Sequence, residues 1–242
     1  FDLLLLNDGT GHFPESSAKW LPPRYGGWTW GTIGMKVADL NNDGNEDLLL
    51  ALVDDEYTEG FIQLFYSNGD GSFTDGTSMI SDQALVGGHV SFWAYPHDFD
   101  GDGAIDFINS AGDDTPAKVF KQQSDGTFTP LTLPDIDEFP MGGKVIARDI
   151  NKDGLPDIVM SHLATMVFVN TSTAGEISFA AVENYINTED AYFPIVIDVD
   201  GDSDQDIILT QQILTEEIVE GYGTLNSPLF WHENDGSGRF SG

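Results

Sequence analysis

Nine residues recur four times along this chain in one fixed order. They are DLNNDGNED at 39–47, DFDGDGAID at 98–106, DINKDGLPD at 149–157 and DVDGDSDQD at 198–206. The shared pattern is D-x-[DN]-x-D-[GS]-x-x-D. Positions 1, 3 and 5 carry side-chain oxygens: Asp39, Asn41 and Asp43; Asp98, Asp100 and Asp102; Asp149, Asn151 and Asp153; Asp198, Asp200 and Asp202. Position 9 adds a carboxylate, from Asp47, Asp106, Asp157 and Asp206. A turn residue at position 6 lets the main-chain carbonyl of position 7 join them, from Asn45, Ala104, Leu155 and Asp204. All-oxygen donors on a flexible loop suit a hard cation, and calcium over magnesium, which demands strict octahedral geometry and keeps its waters. One ion per loop gives about four Ca²⁺.

The flanks decide what kind of repeat this is. An EF-hand places a bidentate Glu at position 12, inside a helix. Leu50, Asn109, Met160 and Leu209 stand there instead. Each loop runs straight into a short aliphatic stretch, such as Leu48–Val53 or Ile207–Leu209, and follows another, such as Val145–Ala147 or Ile195–Ile197. Such runs are buried strands. A second signature follows. NGDGSF at 68–73, SDGTF at 124–128 and NDGSGRF at 234–240 supply the positive φ of tight hairpins, each behind an aromatic-bearing strand. The third unit is looser, from Phe168 through Phe179. Each repeat therefore holds four strands: A, acidic loop, B, connection, C, hairpin, D.

Motif starts lie 59, 51 and 49 residues apart. Periods of this length with four strands each point to propeller blades, because a lone four-stranded sheet cannot bury both faces and must stack on its neighbours. The fold class is all-β, a β-propeller of four-stranded blades in a single domain. The expected blades are 31–88, 89–143, 144–193 and 194–242, after a partial blade over 1–30. That partial blade begins with an apolar run, Leu3–Leu6, and the turn NDGTGHF at 7–13, with no acidic loop before it. Four looped units and half a blade do not close a ring. The chain is expected to be a segment of a longer protein, or to have its ring closed by a missing segment or a partner chain.

These loops and turns resemble the FG-GAP/VCBS repeat family, the integrin-α-type propellers, over essentially the whole chain. The literal FG and GAP tripeptides are not clear here. Ser203 replaces the turn glycine of the fourth loop, and Asn41 and Asn151 replace an Asp at position 3. The resemblance implies structural calcium, an extracellular, secreted or cell-surface setting, and adhesion or ligand binding.

Charge narrows the partners. The net charge is −32, from 41 acidic and 9 basic residues. Four Ca²⁺ would leave −24. So acidic a chain makes nucleic acid and anionic membrane poor partners, and no nucleic acid is expected. No apolar run approaches the ~20 residues that span a bilayer, so membrane insertion is not expected. There is no cysteine, so calcium stands where disulfides otherwise cross-link a small domain.

In an antiparallel blade the A–B loops and C–D hairpins share one end. The B–C and D–A connections share the other, and they include the long stretches 14–31, 54–60, 74–89, 109–116 and 211–228. Recognition usually lives on such loops. The first holds Trp20, Arg24, Tyr25, Trp28 and Trp30. These rings either form a platform for a glycan or protein ligand or fill space between blades. The five histidines form no H-x-x-x-H pair, and no G-x-S-x-G or P-loop fingerprint occurs. Asn170-Thr-Ser172 is formally a glycosylation sequon. The leading reading is a non-enzymatic, calcium-stabilised extracellular module for adhesion or ligand binding. A propeller of a polysaccharide lyase or hydrolase and a purely structural repeat are the alternatives.

Overall fold

The computed structural model describes residues 3–15, 19–24, 30–56, 60–81, 93–110, 117–134, 144–161, 165–181, 191–211, 213–214, 225–226 and 229–241. Strands β1 (Leu3–Leu4) and β2 (Lys19–Trp20) pair antiparallel. The first four-stranded sheet is β3 (Trp30–Ala38), β4 (Asp47–Asp54), β5 (Gly60–Ser67) and β6 (Phe73–Asp75). The second is β7 (Ala94–His97), β8 (Asp106–Asn109), β9 (Lys118–Gln122) and β10 (Phe128–Thr132). The third is β11 (Lys144–Arg148), β12 (Asp157–Ser161), β13 (Thr165–Asn170) and β14 (Phe179–Ala181). In the fourth, β15 (Ala191–Ile197) and β16 (Asp206–Gln211) are followed by a small pair, β17 (Ile213–Leu214) and β18 (Leu225–Asn226). β19 (Leu229–Asn234) and β20 (Phe240–Ser241) then complete it. Every strand pairs antiparallel with its neighbour in the sheet, in chain order.

The acidic loops join the first two strands of each sheet, and the Gly-containing hairpins join the last two. Two details differ from the sequence expectation. The stretch 211–228 is not wholly irregular, because β17 and β18 pair within it. The stretch 14–31, expected as a connection, contains β2, which pairs with β1.

Period-two alternation sends the two faces of each sheet into different apolar layers. On β4, Leu48, Leu50 and Leu52 pack with Phe61, Phe65 and Leu4 of the N-terminal pair, whereas Leu49 and Ala51 face the second sheet. On β8, Phe107 joins that same layer and stacks on Phe120 at 4.6 Å, while the adjacent Ile108 joins Val145, Ile158 and Phe168 of the third sheet. On β12, Ile158 and Met160 face backward, and Val159 faces forward to Val196, Ile207 and Leu209 of the fourth. The sheets thus stack face to face in sequence order. A buried aliphatic or aromatic side chain contributes about 1.5–3 kcal/mol, so these layers are the main source of stability. Position 2 of each loop is part of them. Leu40, Phe99 and Ile150 are fully buried in the layer that follows their own sheet, but Val199 of the last loop is 43% exposed.

Candidate metal centre

Each loop is a run of side-chain-to-backbone turns. The position 3 oxygen accepts from the N–H of position 5: Asn41 from Asp43 at 3.0 Å, Asp100 from Asp102 at 3.2 Å, Asn151 from Asp153 and Asp200 from Asp202 both at 3.1 Å. Position 5 accepts from position 7 in the same way, as in Asp43 from Asn45 at 2.7 Å and Asp153 from Leu155 at 2.9 Å. The position 1 carboxylate closes the ring from outside, taking the N–H of position 6 in all four loops at 2.9–3.1 Å. Asp, Asn and small residues are required because only short side chains reach their own backbone two residues on.

The backbone adds a constraint at positions 4 and 6. Both are left-handed in every loop, with φ of 58° at Asn42, 62° at Lys152 and 80° at Ser203 where glycine is absent. Ser203 thus keeps the turn that Gly44, Gly103 and Gly154 make, at a steric cost of roughly 1–2 kcal/mol.

Position 9 anchors the loop. Asp47, Asp106, Asp157 and Asp206 are each fully buried. One oxygen accepts from position 2 of the same loop: Leu40 at 2.8 Å, Phe99 at 3.1 Å, Ile150 at 2.8 Å and Val199 at 2.9 Å. The other accepts from the end of the third strand: Ser67 and Gln122 at 2.8 Å, Asn170 at 2.7 Å and Asn234 at 2.9 Å. A buried carboxylate is costly, and two charge-assisted bonds offset only part of that. Burial pushes Asp106 up to about 6 against the pull of the Gln122 and Phe99 N–H groups, and it raises Asp47 and Asp157 as well. A cation at the mouth would complete the compensation.

The loops fall into two kinds. In the second and fourth, position 3 is Asp, and carboxylate oxygens of Asp98, Asp100 and Asp106, and of Asp198, Asp200 and Asp206, lie within 4.8 Å of one another. In the fourth loop Asp204 adds a buried carboxylate whose Oδ1 has no hydrogen-bond partner among the described residues. Burial, and then the Asp202 carboxylate, push Asp204 up to about 6. Convergent oxygens with an orphaned buried acceptor fit a hard divalent cation. In the first and third loops the position 3 amide turns its nitrogen inward. Asn41 Nδ2 donates to Asp43 and Asn151 Nδ2 to Asp153, both at 3.0 Å, so an N–H takes the oxygen that a cation would take.

The loops and hairpins lie together, as antiparallel topology requires. A Cβ on Gly69 of the first hairpin would stand 2.9 Å from Asn45 Oδ1 of the first loop. Of the aromatic candidates, Trp20 is 68% exposed, on β2 opposite Leu3, and Arg24 is half-buried. Tyr25, Trp28 and the Trp30 side chain lie outside the described residues. His97 is exposed and leans on the Phe99 ring at 5.8 Å.

Sequence reasoning missed three amides. Asn170 Nδ2 donates to the Phe99 carbonyl of the preceding sheet's loop at 2.7 Å and to Pro156 of its own loop at 2.9 Å. Asn234 repeats this with Ile150 at 3.1 Å and Gln205 at 2.9 Å. The Gln122 amide reaches the Leu40 carbonyl. All three side chains are buried, and Asn170, 1% exposed, has no room for a glycan despite its sequon. The signal available was a Gln or Asn at the end of the third strand in the second, third and fourth sheets, where the first sheet has Ser67.

A family model described as FG-GAP-like repeat matches residues 39–108 and again 98–160, which together span half of the chain. No curated protein matches it.

Proposed function

Because the chain belongs to the FG-GAP-like repeat family, we propose that it forms part of a calcium-stabilised β-propeller that works outside the cell as an adhesion or ligand-binding module. The observation that carries this reading is the convergence of Asp198, Asp200 and Asp206 at the mouth of the fourth loop, whose position 3 and position 5 oxygens are already set by backbone turns. Calcium would be held by positions 1, 3, 5 and 9 with the position 7 carbonyls, in the two Asp-rich loops and, once Asn41 and Asn151 turn their oxygens inward, in the other two. When bound, it supplies charge neutralisation and cross-linking. The family also favours a secreted or surface setting. Among the described residues no helix is long and apolar enough to cross a membrane.

Further blades would close the ring, from elsewhere in the same polypeptide or from a partner chain. The outer faces of the stack support this. Leu3 and Leu5 at one end, and Ile195, Ile197, Leu229 and Trp231 at the other, are exposed. Asn7 stands at the station of Asn170 and Asn234, and its Oδ1 takes Gly9 and Gly11 as Asn234 takes Gly236 and Gly238. A glycan or protein ligand would meet the loops at the end opposite the metal sites, and Trp20 offers an exposed ring on β2.

Calorimetric titration of the calcium-stripped protein tests the metal. Binding of fewer than two ions, or a melting curve unchanged by excess chelator, overturns the reading. A glycan array and a polysaccharide-cleavage screen then separate binding from hydrolysis.

A further inference from the structure

The second loop already holds a cation of its own. Lys121, on β9, sends its ammonium between Asp100 and Asp102 and pairs with both, at 3.0 Å from Asp102 Oδ2. Its side chain is 13% exposed and that of Asp100 fully buried, so this is not a loose surface pair. The two carboxylates are positions 3 and 5 of the loop.

The other sheets have no such group at this station. Lys121 immediately precedes the residue whose N–H binds the position 9 carboxylate. Tyr66, Val169 and Glu233 occupy that place in the first, third and fourth sheets. Lys152 is felt by Asp202 and Asp204 of the fourth loop as a nearby charge, with no ion pair to them among the described residues. An ammonium and a hard divalent ion compete for the same oxygens. Calcium entering the second loop must break both contacts and leave a positive charge beside itself, at a distance where charges still interact strongly.

We propose that Lys121 is a built-in counter-ion of the second loop, which makes this loop the weakest calcium site of the array and keeps its sheet folded when calcium is scarce. This rests on the calcium reading above. The array then loads in two stages: the loops without a lysine first, and the second loop only after Lys121 has swung out. The sheet between the two largest apolar layers would thus be the least dependent on metal.

The test is calcium calorimetry on the full chain and on Lys121→Met, with thermal melts of both in chelator and in saturating calcium. Removal of the lysine should tighten one site by about tenfold or more, the equivalent of one interaction between partly buried charges. It should lower the melting temperature in chelator and raise it in calcium, a change of sign that a simple packing defect does not give. Lys121→Arg, which keeps the charge, should behave as the wild type. If Lys121→Met binds calcium with the wild-type isotherm, the counter-ion role is overturned while the calcium reading stands. If neither protein binds calcium at millimolar concentration, both fall.

Discussion

The carboxamide of Asn170 donates at 2.7 Å to the carbonyl of Phe99, 71 residues earlier and in the preceding sheet. The same side chain donates to Pro156 and accepts from Ser172. One buried amide therefore ties together a hairpin, its own acidic loop and the loop before it.

Replacing Asn170 with Leu keeps the volume but strands two carbonyls and the Ser172 N–H away from water. The expected loss is about 2–4 kcal/mol, since an unmet buried polar group costs about 1–3 kcal/mol. A urea titration should show a lower midpoint with an unchanged slope. A loss under about 0.5 kcal/mol would show that the bond is incidental.

Ser203 is the position 6 residue that lacks the freedom its turn demands, at φ 80°. Ser203→Gly should stabilise the protein by roughly 0.5–1 kcal/mol, the relief of left-handed strain less the added entropy of the unfolded chain. The fourth loop should also bind calcium at least as tightly as before. A lower melting temperature would contradict this.

Acid should have opposite effects with and without calcium. The Asp106 carboxyl rises from 3.8 to about 6 on folding, so the folded chain binds its proton more tightly than the unfolded one. Its contribution is therefore present in full below pH 4 and is lost as pH climbs through about 6, a span on the order of 2–3 kcal/mol. Asp47 and Asp157 shift in the same direction. In chelator the melting temperature should rise on going from pH 7 to pH 5, and Asp106→Asn should flatten that slope. In excess calcium it should fall, because protons then displace the ion. Equal slopes in both conditions would refute the account.

Trp20, two-thirds exposed, should be dispensable for folding. Trp20→Ala is expected to change stability by less than about 1 kcal/mol. If the ring is part of a recognition surface, the same change should weaken binding to any glycan that the array identifies. A large drop in the melting temperature would instead assign Trp20 to packing.

The repeats were legible because both of their signatures are local. A carboxylate that must reach its own backbone two residues on fixes the nonamer, and left-handed turns fix the hairpins. Strand pairing followed from these. The β17–β18 pair was not legible, since Ile213–Leu214 and Leu225–Asn226 lack a turn signature between them. The roles of Gln122, Asn170 and Asn234 were hidden for another reason. Their partners lie 71–84 residues away and are backbone carbonyls, which leave no mark on composition. The split of the loops into two kinds was visible as Asn41 and Asn151 against Asp100 and Asp200. Its meaning, an inward amide in place of a gap between carboxylates, needed coordinates.

The amide clips all run one way. In each, the donor comes from the later sheet and the carbonyl from the earlier one: Gln122 to Leu40, Asn170 to Phe99, Asn234 to Ile150. The stack therefore has a polarity that coincides with the order of synthesis. As the chain leaves the ribosome, each new sheet finds a finished loop waiting with its carbonyl presented, and none has to wait for a sheet not yet made.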